Sequence, residues 1–187
     1  MDEYTDRLIC ELESFRKDFG PVDIDTVYTG GGTPSMLPVS KMNHLLDAAC
    51  SLFNVAEGAE VTVEMNPDDL SKEKLEGFRS AGVTRIVLGI QSGLFKHRQT
   101  LGRRGRNCTG GDLELFFSVP GLTRCLDFIA GIPGQTESDI DVDFGIIRRF
   151  RPEHVSLYML SVDDGTPLAA RMAAGAEFEE GQRTVWE

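Results

Sequence analysis

Five short apolar runs, rich in β-branched residues, alternate along the chain with stretches whose apolar side chains recur every three or four positions. The runs are residues 24–29, 61–64, 85–90, 122–129 and 155–160. Runs of this length bounded by turn residues predict strands, and the three- and four-residue steps predict amphipathic helices. Residues 2–18 form the first helix, with Tyr4, Leu8, Leu12 and Phe15 on one face. A second opens with Ser40 as its N-cap and turns Leu45, Leu46, Ala49 and Phe53 inward. A third runs from Ser71 to Gly82, and a fourth spans residues 137–150 with Ile140, Phe144 and Ile147 at steps that suit one helix face. Strands separated by helices make parallel βαβ units, because a parallel pair needs a crossover long enough to hold a helix. The expected class is therefore α/β with right-handed crossovers. Residues 93–121 fit least well. There Arg103, Arg104 and Arg106 could form a ligand-facing patch but read more readily as a solvated loop, and the helix expected before Pro120-Gly121 is short and poorly capped.

A chain of 187 residues has room for one domain with a real core. Its 30 acidic and 19 basic residues give a net charge of −11. That balance argues against nucleic-acid and anionic-membrane partners, which require clustered Lys and Arg. No apolar run nears the roughly 20 residues of a transmembrane helix. The start, Met1-Asp2-Glu3-Tyr4-Thr5-Asp6, is too acidic for a signal peptide, so a cytoplasmic location is expected. Cys10, Cys50, Cys108 and Cys125 lie far apart and read as scattered buried thiols rather than as a disulfide framework or metal site. His44, His97 and His154 share no ligand spacing, and no metal is assigned to them.

Ligands of α/β sheets bind at the carboxyl ends of the strands. Those ends carry Gly30-Gly31-Gly32-Thr33-Pro34, Glu64, Gln91, Asp127 and the turn from Gly131 to Gly134. Bare glycine amides can approach a ligand closely. The dinucleotide and P-loop glycine patterns are both missing. The triglycine also suits a plain turn, Glu64 a surface carboxylate, and Gln91 an amide closing the sheet top. Asp127 within an apolar strand costs several kcal/mol unless it is paired, which favours a ligand there.

Taken in order, these segments resemble a known family. They are Thr26-Val27-Tyr28-Thr29-Gly30-Gly31-Gly32-Thr33-Pro34-Ser35, Glu64-Met65-Asn66-Pro67, Gly89-Ile90-Gln91-Ser92, Leu101-Gly102-Arg103, Asp127-Phe128-Ile129-Ala130-Gly131-Ile132-Pro133-Gly134-Gln135-Thr136 and Ser156-Leu157-Tyr158. The run resembles radical S-adenosylmethionine proteins of the oxygen-independent coproporphyrinogen III oxidase group. Leu157-Tyr158-Met159-Leu160 with Asp164-Gly165-Thr166-Pro167-Leu168 looks like the HemW-type haem chaperone branch.

The resemblance implies a partial TIM-type (β/α)6 barrel over residues 1–162, with residues 163–187 opening the family's C-terminal region. It implies S-adenosylmethionine across the strand tops. Gly31, Gly32 and Thr33 would face its methionine part, and Glu64, Gln91, Arg103, Asp127 and Ser161 would also hold it. In the family a [4Fe-4S] cluster donates the electron that cleaves S-adenosylmethionine to a radical; the protein orients and shields these groups. Haem or a porphyrin would be the small-molecule partner, with a haem-accepting protein beyond it.

The chain departs from the family's pattern in two places. It has no CxxxCxxC loop, and residues 1–15 resemble the helix that follows that loop, so the first barrel strand and the cluster thiolates are expected to be missing. Iron needs those soft ligands, so the cluster is not expected to assemble on this polypeptide. An edge strand left unpaired in this way would favour self-association. In residues 93–121, Gly93 stands where the family has Phe and Arg104 where it has His. Four other readings stay open. They are a coproporphyrinogen III dehydrogenase proper, a haem carrier without radical chemistry, an inactive truncated product, and an unrelated TIM-like enzyme using Glu64 and Asp127 as acid and base.

Overall fold

The structure is a computed structural model that describes residues 2–103, 105 and 108–175. Arg104 and Arg106 of the basic cluster, and the tail from residue 176, lie outside the described residues. Five strands, β1 (Asp23–Thr29), β2 (Asn54–Met65), β3 (Arg85–Gln91), β4 (Thr123–Ala130) and β5 (His154–Met159), form one sheet in sequential order. Every neighbouring pair is parallel. The sheet curls into a half-barrel, in keeping with part of a TIM-type barrel. The helix α1 (Asp2–Phe19) precedes it. The crossovers carry α2 (Val39–Leu52), α3 (Lys72–Ser80), α4 (Phe95–Thr100) with α5 (Gly110–Ser118), and α6 (Glu137–Phe150). A further helix, α7 (Pro167–Ala173), follows β5.

Strand alternation divides the sheet into two faces. Val63 and Met65 of β2, Ile86, Leu88 and Ile90 of β3, and Leu126 and Phe128 of β4 pack against Met42, Leu46, Leu75, Phe78, Leu113 and Phe116 from the helices. The opposite face, the hollow of the half-barrel, carries polar and small residues: Thr62 and Glu64, then Gly89 and Gln91, then Cys125 and Asp127. Each of these three central strands is thus anchored by its apolar half and presents chemistry with the other.

Several local expectations are corrected. Ser40 is not an N-cap. The helix α2 starts at Val39 behind Pro38, whose fixed φ of −57° sets the chain for entry and whose carbonyl accepts from Lys41 and Met42. The helix α5 is well capped. Thr109 Oγ1 accepts from the Asp112 amide and Asp112 Oδ2 from the Thr109 amide, which closes a capping box. Its Leu113 and Phe116 are buried. The thiols are not all buried, for Cys10 and Cys50 are exposed and only Cys125 is fully enclosed. On α6 the inward face is rotated from the expected one. Phe144 is 42% exposed, while Asp139 and Asp143 are buried, because α6 packs against polar groups that need acceptors. The apolar stripe of α1 is only partly covered, with Tyr4 and Phe15 exposed along a broad apolar groove against β1 and α2.

Candidate functional site

At the carboxyl ends of β1–β5, a cleft of about 280 Å³ is lined by Gly31, Gly32, Thr33, Glu64, Gln91, Arg103 and Asp127, with Pro34, Met65, Asn66, Val87, Gly89 and Tyr158. Seven of the eight residues singled out in the sequence are therefore brought to one place. Ser161, exposed beyond β5, is not among its lining residues.

The parallel sheet explains this convergence. All five strands point the same way, so their ends share one rim, and the polar side chains at or near those ends arrive there. The bend after β1 is shaped by Gly31, whose φ of +97° strains any other side chain, and a Cβ on Gly31 or Gly32 would meet only open space. These bare backbones face the cleft. Behind them Asn66 Nδ2 donates to Thr33 Oγ1 (3.3 Å), the Asn66 amide to Ser35 Oγ (3.1 Å), and Ser35 Oγ to Asp69 Oδ2 (2.6 Å). Lys74 Nζ donates to the Ser35 carbonyl. The triglycine bend is thus buttressed by the β2–α3 turn.

Glu64 accepts a 2.6 Å hydrogen bond from the Tyr28 hydroxyl. Burial, and then that carboxylate, push the Tyr28 phenol above its ordinary pKa, so it stays a proton donor at physiological pH. Asp127 accepts from Cys125 Sγ at 3.5 Å. Burial raises the thiol's pKa and outweighs its contacts to Ser156 and Arg85. Gln91 has φ of +68° at a bulge where β3 slips against β4 between Gly89 and Gln91. A Cβ on Gly89 would lie 2.7 Å from Gln91 Nε2, so the glycine makes room for that amide. Arg103 is the one cationic side chain among the described lining residues. Two carboxylates, an amide, a guanidinium and free backbone N–H groups suit a ligand carrying a cation, hydroxyls and a carboxylate.

Sequence reasoning missed Asn66 and Tyr158 as lining residues, and Gln135 as a support. Gln135 Oε1 accepts from the Gly131 and Ile132 amides (2.8 and 3.2 Å), and its buried Nε2 has no partner. The signal for Gln135 was its place at the end of the Gly131–Gly134 turn.

Beside the cleft, α6 places two carboxylates against the β3–α4 turn. Asp143 Oδ1 accepts from the Gly93 amide (2.6 Å) and from Ser92 Oγ (3.3 Å). Asp139 lies 3.1 Å from Lys96 Nζ and 3.0 Å from His97 Nε2. The His97 N–H is not aligned for a hydrogen bond. Burial lowers the His97 pKa more than Asp139 raises it. Burial raises Asp139, but the Thr136 amide, Lys96 and His97 hold it well below the usual carboxylate range.

Burial pushes Asp143 up from 3.8 to about 6, against the Gly93 and Ser92 hydrogen bonds and with a further push from Asp139. Because the folded chain binds this proton more tightly than the unfolded one, ionisation costs stability. The cost is nil below pH 3.8, grows as pH rises, and is complete above pH 6. Asp143→Asn carries no such cost. Its melting temperature relative to the unaltered chain is expected to rise by about 6–12 °C across that window, since a displacement from 3.8 to about 6 is worth about 3 kcal/mol and each kcal/mol moves the midpoint by about 2–4 °C at this size. Parallel melting curves at pH 4 and pH 7 test this, and a constant difference would contradict it.

A sequence profile described as the Radical SAM superfamily matches residues 11–144. The chain belongs to the radical SAM superfamily. It is 35% identical over 180 residues to the heme chaperone HemW of Mycobacterium tuberculosis, covering 93% of this chain and 45% of that protein. It is 32% identical to HemW of Lactococcus lactis, covering 94% of this chain and 45% of that protein. The chain thus spans about half the length of these relatives. Among solved structures, the coproporphyrinogen III oxidase HemN of Escherichia coli superposes with a TM-score of 0.73 at 19% identity, over 93% of this chain and 45% of that one. That likeness speaks for the fold. Together these findings mark a HemW-like radical SAM protein.

The superfamily implies S-adenosylmethionine and a [4Fe-4S] cluster. The cleft fits the first, because its glycine backbones lie bare and its donors match a sulfonium nucleoside. The second finds no fit among the described residues. No group of three or more Cys, His, Asp or Glu gathers there, and two of the four thiols lie exposed on α1 and α2. No step through a cluster is therefore derived. Among the described residues, no helix is long and apolar enough to cross a membrane.

Proposed function

We propose that this chain is the S-adenosylmethionine-binding part of a HemW-type protein that handles haem or a porphyrin in the cytoplasm and passes haem to an accepting protein. The observation that carries the reading is the single cleft shared by the triglycine bend, Glu64, Gln91, Arg103 and Asp127. Residues 1–162 would form the barrel part, and residues 163–187 the start of a further region. The likeness to HemW chains, at 32–35% identity in two bacteria, supports the haem assignment over a porphyrin oxidase.

In this reading the Gly31–Thr33 backbone and Arg103 hold the methionine carboxylate, and Glu64 and Asp127 meet the amine and the ribose hydroxyls. Gln91 closes the rim over the nucleoside. S-adenosylmethionine, when bound, supplies a sulfonium with a cleavable carbon–sulfur bond. The chain's own residues bind it, orient it and screen its positive charge with two carboxylates.

Isothermal titration of the folded chain with S-adenosylmethionine tests the proposal, and one site per chain is expected. A chain folded by circular dichroism that takes up no S-adenosylmethionine would refute it. Titration with haem, followed by its Soret band, checks the second half of the reading.

A further inference from the structure

We propose that Asp143 and Asp139, two carboxylates one helical turn apart on α6, are positioning residues for the cleft. They pin the two ends of the segment that carries Gln91 and Arg103. The inference rests on the reading of the cleft as an S-adenosylmethionine site.

Both side chains are buried, and a carboxylate out of water is costly unless it is well paired. Apolar residues at these α6 positions would extend the core at no such cost. What the carboxylates meet lies on the β3–α4 segment. Asp143 Oδ1 takes the Gly93 amide and the Ser92 hydroxyl, and Ser92 Oγ in turn accepts from the Leu94 amide at 3.2 Å. These donors follow directly on Gln91. At φ of +68°, Gln91 occupies a backbone region that is strained for a non-glycine residue and persists only where its surroundings impose it. Gly93 lets α6 come close enough to impose it. A Cβ there would lie 2.6 Å from Ile146 Cδ1 and 3.2 Å from Asp143 Oδ1.

The other end is held in the same way. Asp139 reaches Lys96 and His97 on α4, and the Arg103 amide closes the end of that helix on the Arg98 carbonyl at 3.0 Å. Arg103 therefore leaves a helix whose body is tied to α6. The two cleft residues held by the pins are the amide and the cation of the ligand set.

The test is a double-mutant cycle read by S-adenosylmethionine titration on the full chain, with folding verified by circular dichroism. Asp143→Ala is expected to weaken binding about tenfold or more. Asp143→Asn, whose amide oxygen still accepts from Gly93, is expected to stay within about threefold of the unaltered chain. Gln91→Asn shortens the amide while tolerating positive φ. If Asp143 acts through Gln91, the double variant Gln91→Asn/Asp143→Ala binds no more than about twofold more weakly than Gln91→Asn alone. The pair Asp139→Asn and Arg103→Met gives the matching cycle for the other end. Should Asp143→Ala fail to fold, Ser92→Ala takes its place in the cycle. Unchanged affinity in Asp143→Ala, or effects of Asp143→Ala and Gln91→Asn that multiply, would overturn the inference while leaving the cleft reading intact. A folded, unaltered chain that binds no S-adenosylmethionine would overturn both.

Discussion

Phe116→Ala is expected to lower the unfolding free energy by about 3–5 kcal/mol, the usual cost of a buried phenylalanine replaced by alanine. The ring is fully buried within the main apolar cluster. It meets Phe117 edge to face at 5.4 Å between centroids, and Phe117 stacks on Phe150 of α6 at 5.3 Å. Removing it opens a cavity where α5 meets the sheet and loosens the link from α5 to α6. Domains of this kind hold about 5–15 kcal/mol in all, so the loss is a large share. Urea unfolding should show a lower midpoint at an unchanged slope. A loss below about 1 kcal/mol would mean that α5 is not part of the core.

Glu64→Ala is the second large effect. A charged hydrogen-bond acceptor lost from a ligand site costs about 1.5–3 kcal/mol, so S-adenosylmethionine affinity should fall by about 10- to 100-fold. Stability should hardly move, since Glu64 is only partly buried and its partner Tyr28 is 61% exposed and can turn to water. Glu64→Gln keeps an acceptor without the charge and should fall between the two. Titration of the three chains at one pH decides the matter, and equal affinities would remove Glu64 from the site.

Much of the cleft was legible because one rule governs it. In a parallel sheet, inward-facing residues near the carboxyl ends of neighbouring strands share a common rim, so Glu64, Gln91 and Asp127 could be read as neighbours from their places in the strands. Arg103 was reached through the order of the resembling segments. Ser161 too was reached through the resemblance, and it lies beyond β5 outside the lining of the cleft. The helix α5 was obscured by Gly110-Gly111, which reads as a break, although Thr109 and Asp112 already stood at capping-box spacing. The face of α6 was misjudged for a physical reason. Periodicity assigns the inner stripe by apolarity, and here the inner stripe carries carboxylates answering donors on a distant turn. That partnership, and the left-handed backbone at Gln91, exist only in three dimensions.

The slip between β3 and β4 at Gly89 and Gln91 has a consequence for how such a site can diversify. Elsewhere along the rim, the pleat dictates which way a side chain looks, and altering that direction would mean re-registering the strand against its neighbours. At the bulge, a local defect sets the aim. Exchanges at this one rim position can change what the mouth of the barrel grips while the hydrogen-bonded ladder beneath goes on undisturbed.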